Sequence, residues 1–244
     1  MPMSEREPDY KRESEASDAT FNRWNNWLEK IKDEVTRLLV NRHIFWEVQE
    51  IIKANSRIQK PSSFYEWMGN LYATDAAIGV RKQIDFDKRS ISFARLFTEI
   101  AESPGILSRD RFLAMYKDNP NPDAKAFFDK QAHRDFEKFA QLGSSHIDPA
   151  LVTADLATLK ENSKNLQQYA NKRVAHIDEA AFDKLPTFHE LNECLDFLEG
   201  LVKKYMLLFR ATNYHKLLPT WQYDWKVIFR EPWIKGTTES QVDP

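Results

Sequence analysis

An all-α fold, a mostly antiparallel up-and-down helical bundle with an aromatic-rich C-terminal tail, is what this chain predicts, and three observations predict it. Only six glycines occur in 244 residues, too few for a fold built on tight hairpins or phosphate-cradling loops. Apolar residues recur at alternating steps of three and four through most of the chain, the period of a helix with one buried face. Charged residues make up 30% of the sequence and suit exposed helix faces, while 42% hydrophobic and 13% aromatic residues fill a substantial core.

The first 17 residues are polar, charged and proline-punctuated, so they read as a disordered lead-in to a single domain spanning 18–235, with 236–244 a flexible end. From Asp18, the residues Phe21, Trp24, Leu28, Ile31, Val35 and Leu38 form one helical stripe, which Ile44 to Ala54 can continue. Pro61-Ser-Ser63 stops this helix and caps a second, whose repeating positions are Phe64, Trp67, Leu71, Thr74 and Ile78. Asp87 or Ser90 can cap a third helix over Ile91 to Ala101, ended by Ser103-Pro-Gly105, and Ser108 caps a short fourth. A loop at Asn119-Pro-Asn-Pro122 precedes a helix over Ala124 to Leu142, which carries Phe127, Phe128, Phe136 and Phe139 and is closed by Gly143.

Asp148-Pro149 opens the next helix, with proline at its favoured first position and a stripe of Val152, Leu156, Leu159, Leu166 and Ala170. Thr187-Phe-His-Glu190 fits a capping box for a last long helix, which carries Leu191, Leu195, Leu198, Val202, Tyr205 and Phe209 to about Asn213. The tail from Trp221 to Trp233 is expected to pack its tryptophans across the bundle ends.

Composition excludes several function classes. A net charge of -2 gives no bulk attraction to nucleic acid, so RNA binding requires a local basic patch. The single cysteine, Cys194, forms no internal disulfide and reads as a small core residue. Met1 to Asp18 lacks the apolar run of a secretion signal, and no window offers the roughly twenty apolar residues of a membrane span, so a cytoplasmic protein without membrane contact is expected. His133, His146 and His189 lack partners at metal-ligand spacing, so neither metal nor cofactor is expected.

Chemistry concentrates in Tyr169-Ala-Asn-Lys-Arg-Val-Ala-His-Ile-Asp178, where a long helix ends. At about 100° per residue, Tyr169, Arg173 and His176 share a narrow flank beside Leu166. An imidazole titrating near neutrality, a permanent guanidinium charge and a carboxylate at Asp178 able to orient the ring are components of phosphoryl-transfer chemistry. Tyr169, Asn171, Lys172 and Asp178 are the candidate substrate-binding residues around the candidate catalytic pair, His176 and Arg173, with Lys164 adding positive charge nearby. The same histidine and arginine could equally cap free carbonyls and complement the helix dipole, and from spacing alone capping is the simpler reading. The mixed-charge run Arg81 to Arg89 reads as a solvated connection or, beside an RNA site, as part of a groove.

Asn171-Lys-Arg-Val-Ala-His-Ile-Asp178, followed by Pro186-Thr-Phe-His-Glu-Leu191 opening a further helix, resembles the signature region of the HEPN superfamily, particularly its abortive-infection U-type branch. Arg89 to Phe97, the helix around Asp155 and Asp224 to Trp233 are similar to that branch too, so the resemblance runs from about residue 20 to 235. It implies a helical bundle that pairs as a homodimer through its motif helices, acting in prokaryotic defence or a toxin-antitoxin-like system, with RNA as substrate or ligand and an antitoxin or regulatory protein as partner. In active members it implies a metal-independent endoribonuclease, with the histidine, here His176, transferring the proton of a ribose 2′-hydroxyl and an arginine holding the phosphate. The family pattern leaves four to six residues between arginine and histidine, and here Tyr169, Ala170 and Asn171 stand in those places. Arg173 is closer, with two residues intervening, and is the candidate substitute. Arg37 with His43 and Arg210 with His215 meet the loose spacing but lack the Val-Ala-His-Ile-Asp context, so both arginines read as solvated or capping residues. The alternative is a catalytically inactive HEPN-like module serving interaction or dimerisation.

Overall fold

A computed structural model of the chain describes residues 6–116, 125–175 and 185–233, with side chains described for 11–116, 125–172 and 185–233. Among the described residues the regular structure is helical, and the one extended pairing is an isolated bridge between Ser108 and His146. The all-α expectation holds. In chain order the helices are α1 (Arg6–Ala54), α2 (Ser63–Gln83), α3 (Phe93–Glu102), α4 (Arg109–Ala114), α5 (Lys125–Phe136), α6 (Pro149–Tyr169) and α7 (Phe188–Arg210). Short 3-10 turns lie at Pro104–Ile106 and Trp225–Arg230, and a π-helical turn at Ala170–Ala175 continues α6.

Cross-helix pairs fix the helix directions. Leu38 meets Gly79, Arg37 and Asn41 bond Asp75, and Phe45 stacks on Tyr72, so α2 descends as α1 rises. Phe21 stacks on Phe209, Arg210 pairs with Glu29, and Arg42 with Asp196, so α7 also runs antiparallel to α1. Asn165 bonds Glu190 and Tyr205 bonds Asp155, which sets α6 antiparallel to α7.

α1 is 49 residues long, about 74 Å at 1.5 Å per residue, and supplies the central stripe Trp24, Leu28, Ile31, Val35 and Leu38, all buried. It begins at Arg6, well before the expected start near Asp18. Across from it, the entire stripe expected of α7 is buried, from Leu191 through Phe209. Transfer of such apolar area from water is the main stabilising term. The Thr187 hydroxyl accepts from the Glu190 amide and Glu190 accepts from the Thr187 amide, completing the expected capping box. α7 ends at Arg210 rather than near Asn213, with Ala211 in the left-handed region at φ 50°.

Several expectations are corrected. On α2 the residues facing the core are Tyr72, Ala76, Ala77, Gly79 and Val80, whereas Phe64, Trp67 and Leu71 are exposed. The small residues win because they let α2 approach α1 closely. A Cβ on Gly79 would lie 2.5 Å from Leu38 Cδ2, closer than carbon atoms can approach. The cap of α3 is Ser92, whose hydroxyl accepts from the Arg95 amide, not Asp87 or Ser90. α5 stops at Phe136, so the expected run to Leu142 is broken into turns that still bury Phe139. Phe127 is exposed, while Phe136 packs on Phe112 at 5.5 Å beneath the Arg109 guanidinium. Arg37 and Arg210, expected to be solvated or capping, join helices: Arg37 pairs with Asp75 at 2.8 Å and Arg210 with Glu29 at 2.6 Å.

The C-terminal tail lies along the second half of α1 rather than across the bundle ends. Trp221 stacks on His43 with ring centroids 4.8 Å apart, and Lys226 pairs with Glu47. Trp233 remains largely exposed and stacks on Phe229. No helix among the described residues is long and apolar enough to cross a membrane.

Candidate nucleic-acid site at the end of α6

Asp148 accepts from the Ala150 amide and Pro149 occupies the first turn, so α6 starts where its sequence predicts. Its buried stripe, Val152, Leu159, Leu166 and Ala170, packs toward α3, α2 and α7. Leu166 and Ala170 hold the last turn against the core and leave Tyr169 at the rim.

At Ala170 the helix widens into the π-helical turn. Lengthened turns of this kind bring a side chain out of α-helical phase and occur frequently at functional sites. The expected alignment of Tyr169 with Arg173 at 100° per residue therefore does not carry over unchanged. Arg173 lies in this turn by its backbone, its side chain falling outside the described set. His176 and Asp178 lie outside the described residues altogether.

Three candidate residues can be placed. Tyr169 lines a cleft of about 290 Å³ between α2, α6 and the entry to α7, together with Ala73, Leu166, Pro186, Phe188 and Leu191. Asn171 is half-buried, and its Oδ1 accepts from the Arg81 Nε at 2.5 Å. Lys172 is half-buried on the same turn. The floor of this arrangement is held by Asn165 Nδ2 donating to Glu190 Oε1 at 3.0 Å, which ties α6 to the capped start of α7.

Arg81 belongs to the run expected either to be a solvated connection or to line a groove beside an RNA site, and its bond to Asn171, 90 positions away in the chain, is not visible in the sequence. Its only sequence signal was membership of the basic run Arg81 to Arg89. Of that run, Lys82 reaches back to Glu34 at 3.1 Å and Arg89 pairs with Asp87 at 3.0 Å. Among the described residues Arg81 forms no carboxylate pair, so its charge is delivered to the π-helical turn.

Groups set aside from the sequence stay outside the site. His146 Nδ1 contacts the Ile147 carbonyl, and His189 lies 3.3 Å from Glu193 on an exposed turn. Cys194 is buried between helices, and burial pushes its thiol up to about 12. Among the described residues no three His, Cys, Asp or Glu side chains gather as metal ligands.

Comparison with curated proteins and comparison with solved structures each gave no match. A family model, that of the HEPN proteins described as AbiU2, matches residues 21–225. The match takes in the whole helical core from the first buried turn of α1 to the tail against it, and the turn after α6 lies inside it. On that span the chain belongs to the AbiU2 family of HEPN proteins.

Proposed function

We propose that this protein binds RNA at the end of α6 and cleaves it without a metal ion, as a HEPN endoribonuclease of an abortive-infection system. His176 removes the proton from a ribose 2′-hydroxyl, the 2′-oxygen attacks the adjacent phosphorus, and the bond to the 5′-oxygen breaks as that oxygen takes a proton from water, giving a 2′,3′-cyclic phosphate and a free 5′-hydroxyl while the imidazolium returns its proton to solvent. Arg173 carries the positive charge that stabilises the crowded phosphate, and Asp178 orients the imidazole. Tyr169, Asn171 and Lys172 contact the substrate. The internal nucleophile explains why no metal is required in this scheme.

The observation that supports this reading best is the Arg81–Asn171 bond, which brings a second guanidinium to the turn leading into the Ala175-His176 core. A phosphate there meets positive charge from two helices. The protein acts as a homodimer in which two such turns face one another, and a regulatory or antitoxin protein restrains it.

Incubation of purified protein with mixed RNA in the presence of a chelator tests this. Cyclic-phosphate ends are expected from the parent protein and not from His176→Ala; equal cleavage by both removes the catalytic assignment. A second reading, a HEPN module that pairs or binds without cleaving, is favoured by one observation: Tyr169, Ala170 and Asn171 fill the places where the family carries its arginine. Absence of chelator-resistant cleavage together with a dimer in light scattering would select it.

A further inference from the structure

The loop between α2 and α3 runs beside α6 and presents Phe86 outward, 49% exposed. An isolated exposed aromatic is ordinary on a protein surface. This one is held in place. Ser92 Oγ donates to the Asp85 carbonyl at 2.5 Å, Ser90 Oγ donates to the Asp87 carbonyl at 2.8 Å, and the Asp85 carboxylate accepts from the Asp87 amide at 2.9 Å. The loop backbone on both sides of Phe86 is therefore fixed, and the ring projects from a rigid base.

One cation sits against it and others follow along α6. Lys160 Nζ lies 4.5 Å from the centroid of the Phe86 ring. Lys164, one helical turn further along α6, is exposed on the same side. Arg81 stands at the π-helical turn that ends this ridge. From Lys160 to Asn171 the ridge is about 16 Å long at 1.5 Å per residue. The acidic groups facing it are Asp85 and Asp87 in the loop and Glu161 on α6; Asp87 is taken up by Arg89. Among the described residues Lys160, Lys164 and Arg81 have no carboxylate partner, so the ridge is basic on a protein whose net charge is -2.

We infer that this ridge is the track along which single-stranded RNA reaches the turn after α6, with Phe86 as a stacking platform for one unpaired base and Lys160, Lys164 and Arg81 bound to successive phosphates. The inference rests on the ribonuclease or RNA-binding reading and adds the route and the residues by which a strand reaches that site. A side chain standing beside a row of cations is the arrangement that binds single strands: the cations follow the backbone, and the ring takes any base by its face. In an A-form duplex the base faces are already stacked and the ring has nothing to bind. Duplex RNA is thereby disfavoured.

The test uses the full chain carrying His176→Ala, so that cleavage does not consume the probe, and fluorescence anisotropy with a labelled oligouridine and a labelled RNA duplex of the same length. The single strand is expected to bind more tightly than the duplex. Phe86→Ala should weaken it by about fivefold to a hundredfold, Phe86→Trp should restore it, and Arg81→Ala should reduce the dependence of affinity on salt. All variants should melt with the parent. Equal affinity for single strand and duplex, or unchanged affinity in Phe86→Ala, overturns the track. If His176-dependent cleavage then persists, the ribonuclease reading survives that failure. A parent protein that binds neither RNA overturns both.

Discussion

Leu38 occupies the space into which any side chain on Gly79 would have to grow, its Cδ2 2.5 Å from the position of the missing Cβ. This contact lies within the packed seam between α1 and α2, and both residues are buried. Gly79→Ala adds one methyl group to a site with no room for it. Ordinarily alanine stabilises a helix by about 1 kcal/mol relative to glycine. Here overpacking should outweigh that gain and cost about 1–3 kcal/mol net. Urea denaturation should show a lower midpoint with an unchanged slope; a midpoint above that of the parent would mean that Leu38 moves aside freely.

The Asp155 carboxylate accepts from Tyr205 Oη at 2.8 Å and Lys204 Nζ at 2.6 Å. Burial raises the Tyr205 phenol well above its ordinary value, with the neighbouring Asp155 charge acting in the same direction, so the hydroxyl stays a donor. Tyr205→Phe leaves Asp155 its lysine partner and should cost about 1 kcal/mol. Asp155→Ala strands the phenol hydroxyl in the core and should cost more, up to about 3 kcal/mol. A double-mutant cycle by chemical denaturation should give positive coupling between the two; additive losses would show that they act independently.

Glu34 joins the first two helices from the side opposite the aromatic tail, accepting from Arg37 at 3.1 Å and Lys82 at 3.1 Å. The hydrogen bond from Arg37, partly opposed by burial and reinforced by Lys82, holds its carboxyl below the ordinary value. A carboxylate with a lowered folded-state pKa stabilises the fold fully above its unfolded value, about 4.3. That contribution disappears as pH falls through the lower folded value. Melting temperature should therefore decline below about pH 4, and Glu34→Gln should flatten that decline while lowering stability at neutral pH. A parallel decline in both proteins would assign the acid sensitivity elsewhere.

Cys194 offers a probe of global opening. A thiol pushed up to about 12 by burial holds almost no thiolate at neutral pH, and the thiolate is the reactive form. A disulfide reagent at pH 8 should leave the native protein unmodified for as long as it stays folded and titrate one thiol at once in denaturant. Rapid native labelling would place the α7 core in frequent local unfolding.

How far these features could be read from the chain depended on the distance over which they act. Asp148-Pro149, Ser108 and the Thr187–Glu190 box are decided within one helical turn, and each was legible. The α7 stripe was legible too, because bulky apolar residues recur at helical spacing from Leu191 to Phe209, while burial of all five residues from Tyr205 to Phe209 needs neighbours on every side. α2 misled for the opposite reason. Its bulky series Phe64, Trp67 and Leu71 and its small series Ala76, Gly79 and Val80 both follow helical spacing, and only the partner helix decides which is buried. At the candidate site, the motif announced itself locally, whereas the bond from Arg81 joins residues 90 positions apart and depends on α2 and α6 meeting.

The displaced arginine admits a direct trial. If Arg173 serves the phosphate in place of an arginine at family spacing, Arg173→Ala should lower kcat by about a hundredfold to a thousandfold, the effect of removing one charge-stabilising donor. Arg173→Lys should recover only part, because an ammonium cannot contact two phosphate oxygens in the fixed geometry of a guanidinium. Four residues separate position 171 from His176, so Asn171→Arg places an arginine where the family pattern carries one. That substitution removes the acceptor for Arg81 but leaves two guanidinium groups at the turn. In the Arg173→Ala background it should restore cleavage, with kcat responding more than KM because the charge acts on the crowded phosphate rather than on ground-state binding. Recovery in KM alone would make position 171 a binding contact, and undiminished cleavage by Arg173→Ala would transfer the phosphate role to Arg81.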